Sequence, residues 1–532
     1  MTDYIATDTE LTSVANAIRA KGGTNAQLEW PTEYISAVNN ISAVSPDDDV
    51  LFVDYDGTIL HSYSAQQFLA LTQMPANPDR TSEGLTAQGW NWNLTDAKAQ
   101  VSACGKVDIG QTYIPTDGKT HLFVEIPDDG ISNSRIVSLR MKAVSSTYVD
   151  FDWGDGTVEA KSPSTSTSTE YSHTYSNPGS YEIKLSPRTA SISVQGQSGY
   201  YNFFGQTGSG NAMCYSSQIR LKKIHFGNNI TWGSGRALQD CIGLEYITIP
   251  NSMTSFGGYE FNACFALKNV IYPSGTTTLA NQFYTCYKLE RIILPYSVTS
   301  VTSIVNYTYN LKRLIIPNNI NSIPTLTYNQ ALQEVVIPNN SSITRIPSNF
   351  VEDVRQLESI NIPASVTQIG NNAFNYCYKL NEIELNSNIT SIGNYSFGSC
   401  MCLKSINTLG SITQIPQYAF SSCKSLYDIE IPSTVTSIGQ NAFNGCHSLS
   451  KITIPSNVTS IAAYAFSYCY GLREIHLNPT TPPTLSNSNA FTGLNGNCII
   501  YVPRSTNQTV LDAYKTASNW STYASKMQEE PA

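Results

Sequence analysis

Five cysteines recur every 23 residues in the C-terminal half of the chain: Cys377, Cys400, Cys423, Cys446 and Cys469. The units that contain them share the template A-F-x-x-C-x-x-L-x-x-I-x-I-P-x-x-V-T-S-I. A fixed period of this length predicts a solenoid, in which each unit buries its apolar positions against its neighbours. We therefore look for function on an extended surface rather than in a single pocket.

The repeat covers residues 219–480 in units of 21–25 residues. In sequence this array resembles the BspA-like class of leucine-rich repeats. The resemblance implies a solenoid built of short strands and turns. The tail, residues 481–532, is similar to the segment that ends such arrays. We expect it to cover the last rung, because an open rung would leave a sheet edge unpaired.

We predict that the repeated cysteines are core residues. They recur beside Phe and Leu, and Cys is among the most frequently buried residue types. This pattern favours buried free thiols, with disulfides between rungs or a metal site as the alternative. No Cys-x-x-Cys pair with zinc spacing occurs among the twelve cysteines, so we predict neither a metal nor a cofactor.

Composition excludes two kinds of partner. Only 13% of the 532 residues are charged, and the formal net charge is −9. Nucleic-acid binding needs clustered Lys and Arg, which the chain lacks. The chain starts with no basic, apolar leader and holds no run of 18 apolar residues. We therefore expect no signal peptide and no membrane span.

Residues 1–45 predict a helical hairpin that anchors or docks. A capping box precedes the first apolar stripe, Pro31 precedes the second, and Gly22-Gly23 separates them. The expected anchoring residues are Leu11, Val14, Ile18, Ile35 and Val38. This segment resembles the leader that opens many tail-associated proteins of phages infecting Gram-positive bacteria, which implies attachment to other tail or baseplate proteins.

Residues 46–125 predict a small α+β domain, opened by the string Val50-Leu51-Phe52-Val53-Asp54-Tyr55-Asp56-Gly57-Thr58. The string resembles the first motif of haloacid-dehalogenase-type phosphatases, which would make Asp54 the nucleophile and Asp56 the acid/base, with magnesium nearby. About 75 residues are too few for the doubly wound sheet of that family. A strand ending in an Asp-Gly turn explains the same residues, so we predict no enzyme.

Residues 126–190 predict a β-sandwich, followed by a connector over 191–218. Strand-like alternation ends in the turn Trp153-Gly154-Asp155-Gly156-Thr157, and His173-Thr174-Tyr175 follows. These strings resemble the PKD-type immunoglobulin-like domain, which usually serves as a spacer. The fold class is therefore mainly β and multidomain: helical hairpin, α+β domain, immunoglobulin-like sandwich, leucine-rich-repeat solenoid and C-terminal cap.

Strand alternation predicts which side chains of each repeat face outward. In Leu-x-x-Ile-x-Ile the residue between the two Ile points out. Four consecutive repeats place apolar residues there: Ile271, Ile293, Ile315 and Val336. Arg291 and Arg313 flank them. Such a strip indicates a contact: a partner or receptor surface, a subunit contact in a homo-oligomer, or cover by a neighbouring segment.

Tyrosines in the turns provide a second candidate surface. Tyr287, Tyr378 and Tyr470 directly follow the repeated cysteine. An aromatic ring with a polar tip suits contact with a protein or a glycan at low entropic cost. The same tyrosines could instead pack against the next rung.

Two functions follow from these observations. The first is a non-enzymatic adhesive protein of a phage tail or baseplate, anchored to the virion by its N-terminus and binding a host-surface protein or glycan through the solenoid. The alternative is a BspA-like adhesin on a bacterial surface; a phosphatase is a remote third.

Overall fold

The computed structural model describes residues 49–129, 135–194, 221–233, 235–340 and 342–531. Over this part the protein is mainly β, with three α-helices: α1 (Ala65–Leu69), α2 (Leu94–Cys104) and α3 (Thr509–Thr516). Short 3-10 turns lie at Thr81–Glu83, Ser488–Phe491, Thr506–Gln508 and Trp520–Lys526. The five anchoring residues lie outside the described residues, so the helical hairpin stays a prediction.

The first unit is a four-stranded sheet with α1 and α2. Its strands are β1 (Val50–Val53), β2 (Ile59–Tyr63), β3 (Leu85–Trp90) and β4 (Val107–Pro115), in the spatial order β2-β1-β4-β3. Only the β1–β4 pair is parallel. One parallel pair in a small mixed sheet differs from the doubly wound, parallel sheet that the phosphatase resemblance would require.

Two further sheets follow, and together they enclose an apolar core. Their strands are β5 (Thr120–Ile126), β6 (Ile136–Ala143), β7 (Val149–Asp152), β8 (Val158–Lys161), β9 (Thr169–Thr174), β10 (Gly179–Pro187) and β11 (Ile192–Val194). Strand β5 pairs with β10, and β11 pairs with β6. The segment that folds as two sheets is therefore wider than the predicted 126–190 and takes in residues at both ends.

These two sheets continue directly into the repeat array. The first array strands are β12 (Leu221–His225), β13 (Ile230–Trp232) and β14 (Tyr246–Thr248). Strand β12 lies between β5 and β14, and β13 pairs with β11. The first rung thus has its edge paired by the preceding sheets, which act as an N-terminal cap for the solenoid.

The array stacks short parallel strands in two columns. The first column, which we call the strand column, continues from β12 and β14 through Asn269–Ile271, Arg291–Ile293, Arg313–Ile315, Glu334–Val336, Ser359–Asn361, Glu382–Glu384, Ser405–Ile406, Asp428–Ile429, Lys451–Ile454 and Glu474–Leu477. The second holds Thr278–Ala280, Ser300–Thr302, Arg345–Ile346, Gln368–Ile369, Ser391–Ile392, Gln414–Ile415, Ser437–Ile438, Ser460–Ile461 and Thr484–Leu485. Shorter strands lie at Phe283–Tyr284 and Val305–Asn306.

The repeated cysteines form a ladder of hydrogen bonds inside the solenoid. The five buried thiols from Cys377 to Cys469 each donate to a backbone carbonyl in the previous rung. Cys377 donates to Val351 (3.2 Å), and the other four donate to a phenylalanine, as Cys400 does to Phe374 (3.2 Å) and Cys423 to Phe397 (3.0 Å). The phenylalanines stack on one another, with Phe397 and Phe420 5.4 Å apart and 2° from parallel. The thiol is a small apolar group that also satisfies a buried carbonyl, which explains its recurrence.

Where the cysteine is missing, Val354 replaces it in one repeat and polar side chains replace it in two. The buried polar residues there are Thr308 and Asn329. Asn329 Nδ2 donates to the carbonyls of Val305 (3.3 Å) and Leu326 (3.0 Å). Its Oδ1 accepts from the backbone N–H and the hydroxyl of Thr308. The rung-to-rung hydrogen bond is thus preserved by an amide.

The C-terminal segment covers the last rung. Two further strands, Ile499–Val502 and Met527–Glu529, extend the strand column beyond Glu474–Leu477. Trp520 packs on Phe491 at the end of the phenylalanine stack, and its Nε1 donates to the carbonyl of Pro483 (2.7 Å).

Candidate functional site

The outward side chains of the strand column, which we call the strand face, divide into two halves. The first half is buried: His225, Thr248, Ile271, Ile293, Ile315 and Val336. The second half is exposed: Asn361, Glu384, Asn407, Glu430 and Thr453, with His476 half-buried. The array is therefore one solenoid with two different outward surfaces.

Residues 49–115, which we call the covering unit, cover the first half of the strand face. Leu51 and Val53 from β1, together with Ile59, pack on Ile271 and Ile293. Gly110 in β4 allows the close approach, because a Cβ at that position would lie 2.3 Å from Cγ2 of Ile271. Both strands present one side of the sheet to the solenoid, so the apolar stripe is buried within the same chain.

Polar side chains of the covering unit satisfy backbone carbonyls along this contact. Asn91 Nδ2 donates to the carbonyl of Tyr272 (3.0 Å), and Trp92 Nε1 donates to that of Leu294 (2.8 Å). One rung further, Gln100 Nε2 donates to the carbonyl of Ile316 (2.9 Å).

These donors follow the rung spacing, so the covering unit matches three successive repeats. A buried carbonyl without such a partner would destabilise the contact.

Charged groups complete the contact at its edge. Lys106 Nζ lies 2.6 Å from a carboxylate oxygen of Glu334, and Arg313 Nη2 lies 3.4 Å from Asp108. Arg291 Nη1 donates to the carbonyl of Gly57 (3.3 Å). Burial raises the pKa of Asp108, while the guanidinium groups of Arg313 and Arg291 act in the opposite direction.

The candidate partner-binding residues Ile271, Ile293, Ile315 and Val336 are therefore buried, and Arg291 and Arg313 are half-buried. Alternation along the strand gives the outward direction correctly, but repeat periodicity does not show which segment covers the outward side. Among the three alternatives for the stripe, the structure shows cover by a neighbouring segment. The large apolar side chains at four successive outward positions were the signal for it.

His225 lies where the covering unit, the two sheets and the solenoid meet. Its ring makes edge contacts with Tyr55 (5.4 Å) and Phe123 (5.5 Å), and Nδ1 lies 3.0 Å from the hydroxyl oxygen of Thr248. Burial, assisted by the positive charges of Lys223 and His121, lowers the pKa of His225 to about 3. The three-way junction is therefore built around a neutral imidazole.

The exposed half of the strand face is acidic, and among the described residues it is accessible to solvent. Four carboxylates point outward from it: Glu382, Glu384, Asp428 and Glu430. A cleft of about 690 Å³ lies between the strands that start at Asp428 and Lys451. The repeat pattern does not predict this cleft, because the cleft depends on how neighbouring rungs separate.

The turn tyrosines are both exposed and packed. Tyr287 stacks between Phe265 (4.9 Å) and Tyr309 (5.3 Å). Tyr470 leans on His447 (5.3 Å) and is largely exposed. Tyr378 is half-buried beneath the guanidinium of Arg355, 5.5 Å from the ring centre. Much of each ring face is therefore occupied by a neighbouring rung.

The phosphatase-like motif is held in an ion-pair network. Asp54 is fully buried, and its Oδ2 accepts from Arg80 Nη2 (2.6 Å) and Nε (2.9 Å). Arg80 also contacts Glu83, which accepts from the hydroxyl of Tyr55 (2.5 Å). Asp56 Oδ1 accepts from the backbone N–H of Thr58 (2.9 Å). Both aspartates of the motif therefore have structural partners.

The described part of the chain contains neither a metal-binding cluster nor a membrane-spanning helix. Within the described ranges, no group of three His, Cys, Asp or Glu residues is arranged to hold a metal ion. In the same ranges, no helix has the length and apolarity needed to cross a bilayer.

A family model described as the BspA type leucine-rich repeat region matches the chain in six copies, over residues 210–332, 302–427 and 390–519. These ranges cover more than half of the 532 residues. The chain belongs to the BspA-type leucine-rich repeat family. This confirms the solenoid resemblance seen in the sequence; the PKD-type and phage-leader resemblances stay predictions. No curated protein matches the chain.

Several solved structures are similar to this family member. A leucine-rich repeat protein from Bacteroides ovatus is 20% identical, with a TM-score of 0.40, over 57% of this chain and 88% of its own. A leucine rich cell surface protein from Faecalibacterium prausnitzii is 28% identical, with a TM-score of 0.35, over 50% and 74%. The leucine-rich repeat protein of T. pallidum is 22% identical, with a TM-score of 0.26, over 41% and 89%.

Proposed function

We propose that this protein is a non-enzymatic adhesin of a bacterial surface, which binds its target through the exposed half of the strand face. Membership of the BspA-type family supports the surface location, because proteins of this type are typically bacterial surface proteins. The division of the strand face supports the choice of region: the covered half makes an internal contact, and the other half is exposed to solvent in the part of the chain that the structure describes.

The covering unit explains why only the later rungs present a surface for binding. It fills the outward side of the early rungs with apolar packing, hydrogen bonds and ion pairs. The later rungs carry short polar and acidic side chains, which remain hydrated. A hydrated, polar surface with a cleft suits reversible recognition better than a permanent apolar contact does.

The virion role stays a prediction, and one experiment separates it from the adhesin role. Antibodies against the whole chain would be applied to intact cells of the source bacterium and to purified phage particles induced from it. The proposal expects labelling of the cell surface. Labelling confined to particles would overturn it in favour of the tail or baseplate role.

Attachment itself is tested with beads coated with the full chain. We expect them to attach to epithelial cells or mucus more than beads coated with an unrelated protein. The double variant Glu430→Arg and Thr453→Arg, which places bulky charges on the exposed half, should reduce attachment. The same change at exposed Val144 and Val158 should not. Equal attachment of all bead types, including the unrelated protein, would refute the adhesin proposal.

We also propose that Asp54 and Asp56 are structural rather than catalytic. Arg80 and the backbone around the Asp-Gly turn support this role. Wild-type protein should release no phosphate from a generic phosphate ester with magnesium, and Asp54→Asn should lower the unfolding temperature, because Arg80 loses a buried ionic partner. Wild-type turnover that Asp54→Asn abolishes would restore the phosphatase hypothesis.

A further inference from the structure

The cleft on the exposed half of the strand face arises from an unbridged break between rungs. Strand Asp428–Ile429 pairs with Ser405–Ile406, and Lys451–Ile454 pairs with Glu474–Leu477, but these two pairs belong to separate sheets. The cleft lies between them. Its volume of about 690 Å³ is that of a small-ligand site.

Two similar breaks in the same column are closed by an asparagine side chain. Asn361 Nδ2 donates to the carbonyl of Ile337 (2.6 Å), and its Oδ1 accepts from the N–H of Ile337. Asn407 makes the same pair of bonds with Leu385, at 3.0 and 2.9 Å. The equivalent residue at the break beside the cleft is Thr453, which has no amide, and Ile431 instead lines the cleft.

An aromatic residue stands at the wall of this cleft and nowhere else at its repeat position. Tyr427 follows the template Leu, where the neighbouring units have Glu358, Asn381, Lys404, Ser450 and Arg473. Its side chain is 54% exposed and lines the cleft. Among the described residues no other ring stacks on it, whereas Tyr395 and Tyr418 stack at 4.4 Å. Tyr427 therefore has a free ring face, which a sugar ring needs for stacking.

The polar groups around Tyr427 include both donors and acceptors. Asp428 and Glu430 are exposed, and neither has an ion-pair partner within the described residues. Lys451 Nζ lies 3.6 Å from Glu474, outside the cleft, and Thr453 and Asn478 complete the lining. Sugar hydroxyls donate to carboxylates and accept from ammonium and amide groups. Two free carboxylates would repel an anion.

We propose that this cleft binds a neutral saccharide, with Tyr427 stacked on the sugar ring and Asp428 and Glu430 accepting hydrogen bonds from its hydroxyls. This inference rests on the proposed adhesin function and names the ligand class of its exposed surface. The missing asparagine bridge, the unique aromatic residue and the unpaired carboxylates coincide at one rung of the array.

A glycan array probed with the full chain, followed by calorimetry with the best neutral saccharide, tests the proposal. Tyr427→Ala, and Asp428→Asn together with Glu430→Gln, should each weaken binding at least about tenfold, which corresponds to about 1.4 kcal/mol. The matched control, Glu382→Gln with Glu384→Gln, changes the same strand positions outside the cleft. Tyr395→Ala controls for loss of an exposed tyrosine. Both controls should bind like the wild type.

Other results would overturn the inference. Either an array on which no neutral saccharide binds or a Tyr427→Ala variant that binds like the wild type shows that the cleft is not a saccharide site. If coated beads still attach to cells in that case, the adhesin proposal stands and its ligand is of another class. If the beads fail to attach as well, both proposals are wrong.

Discussion

The covered and exposed halves of the strand face share one repeat and one backbone, yet their outward residues have opposite tasks. In the covered half, Ile271 and Ile293 are as buried as core residues because another part of the chain packs on them. In the exposed half, Glu384 and Glu430 occupy the same position and face solvent. The repeat therefore fixes the direction of a side chain, and the rest of the chain determines what that side chain meets.

The largest expected effect contrasts one charge placed in each half. Ile293→Asp should lower the free energy of unfolding by about 3–5 kcal/mol, since a carboxylate would be buried without a partner against Leu51 and Val53. Thr453→Asp, at the equivalent exposed position, should change it by less than about 0.5 kcal/mol. Urea unfolding monitored by circular dichroism measures both. If both variants changed the free energy of unfolding by similar, small amounts, Ile293 would not be covered.

A second contrast concerns the rung-to-rung hydrogen bonds inside each half. Asn329→Ala should destabilise the protein by about 2–4 kcal/mol, because it leaves two carbonyls and two Thr308 donors without partners. Cys423→Ala removes one weak thiol donor and should cost about 1–2 kcal/mol. Thermal unfolding of the two variants shows which substitution destabilises the protein more. A larger loss for Cys423→Ala would show that the thiol ladder dominates.

The fit between the covering unit and the solenoid can be tested by a single methyl group. Gly110→Ala should cost about 1–3 kcal/mol, because the new Cβ would overlap Ile271. Gly496→Ala, where a Cβ meets nothing within 4 Å, is the control. When Ile271 is also changed to Ala, Gly110→Ala should cost less free energy of unfolding than it does in the wild type, because the new Cβ then has room. Strictly additive effects in urea unfolding would place the two residues apart.

Near neutral pH, the smallest effect is a pH dependence from His225. The folded pKa is about 3, below the ordinary value of 6.5, so the unfolded chain binds a proton that the junction does not. Stability contributed by this residue is therefore present above about pH 6.5 and falls by up to about 1.4 kcal/mol per pH unit on acidification towards pH 3. His225→Gln should flatten the slope, and exposed His447→Gln should not. An unchanged slope in His225→Gln would contradict a neutral, buried imidazole.

Periodicity predicted the solenoid, the buried cysteines and the inward and outward positions of each strand. Those features depend on local spacing, which a sequence displays directly. The cover of Ile271 and Ile293 by β1 and β4 could not be predicted, because it joins residues far apart in the chain. The cleft beside Tyr427 could not be predicted either, since it depends on the separation of two rungs. Its traces in sequence are Thr453 at a position where two other breaks have an asparagine, and Tyr427 at a position where no other repeat has an aromatic residue.

Hydroxyl-radical footprinting of the full chain tests most directly whether residues 49–115 cover the first half of the strand face. Val144 and Val158 are exposed references, and Val458 is a core reference. The structure predicts that Val336 and Ile293 are protected from oxidation to the same degree as Val458, while Tyr427 is readily oxidised. Oxidation of Val336 at the rate of Val158 would contradict the covered half, and with it the assignment of binding to the other half.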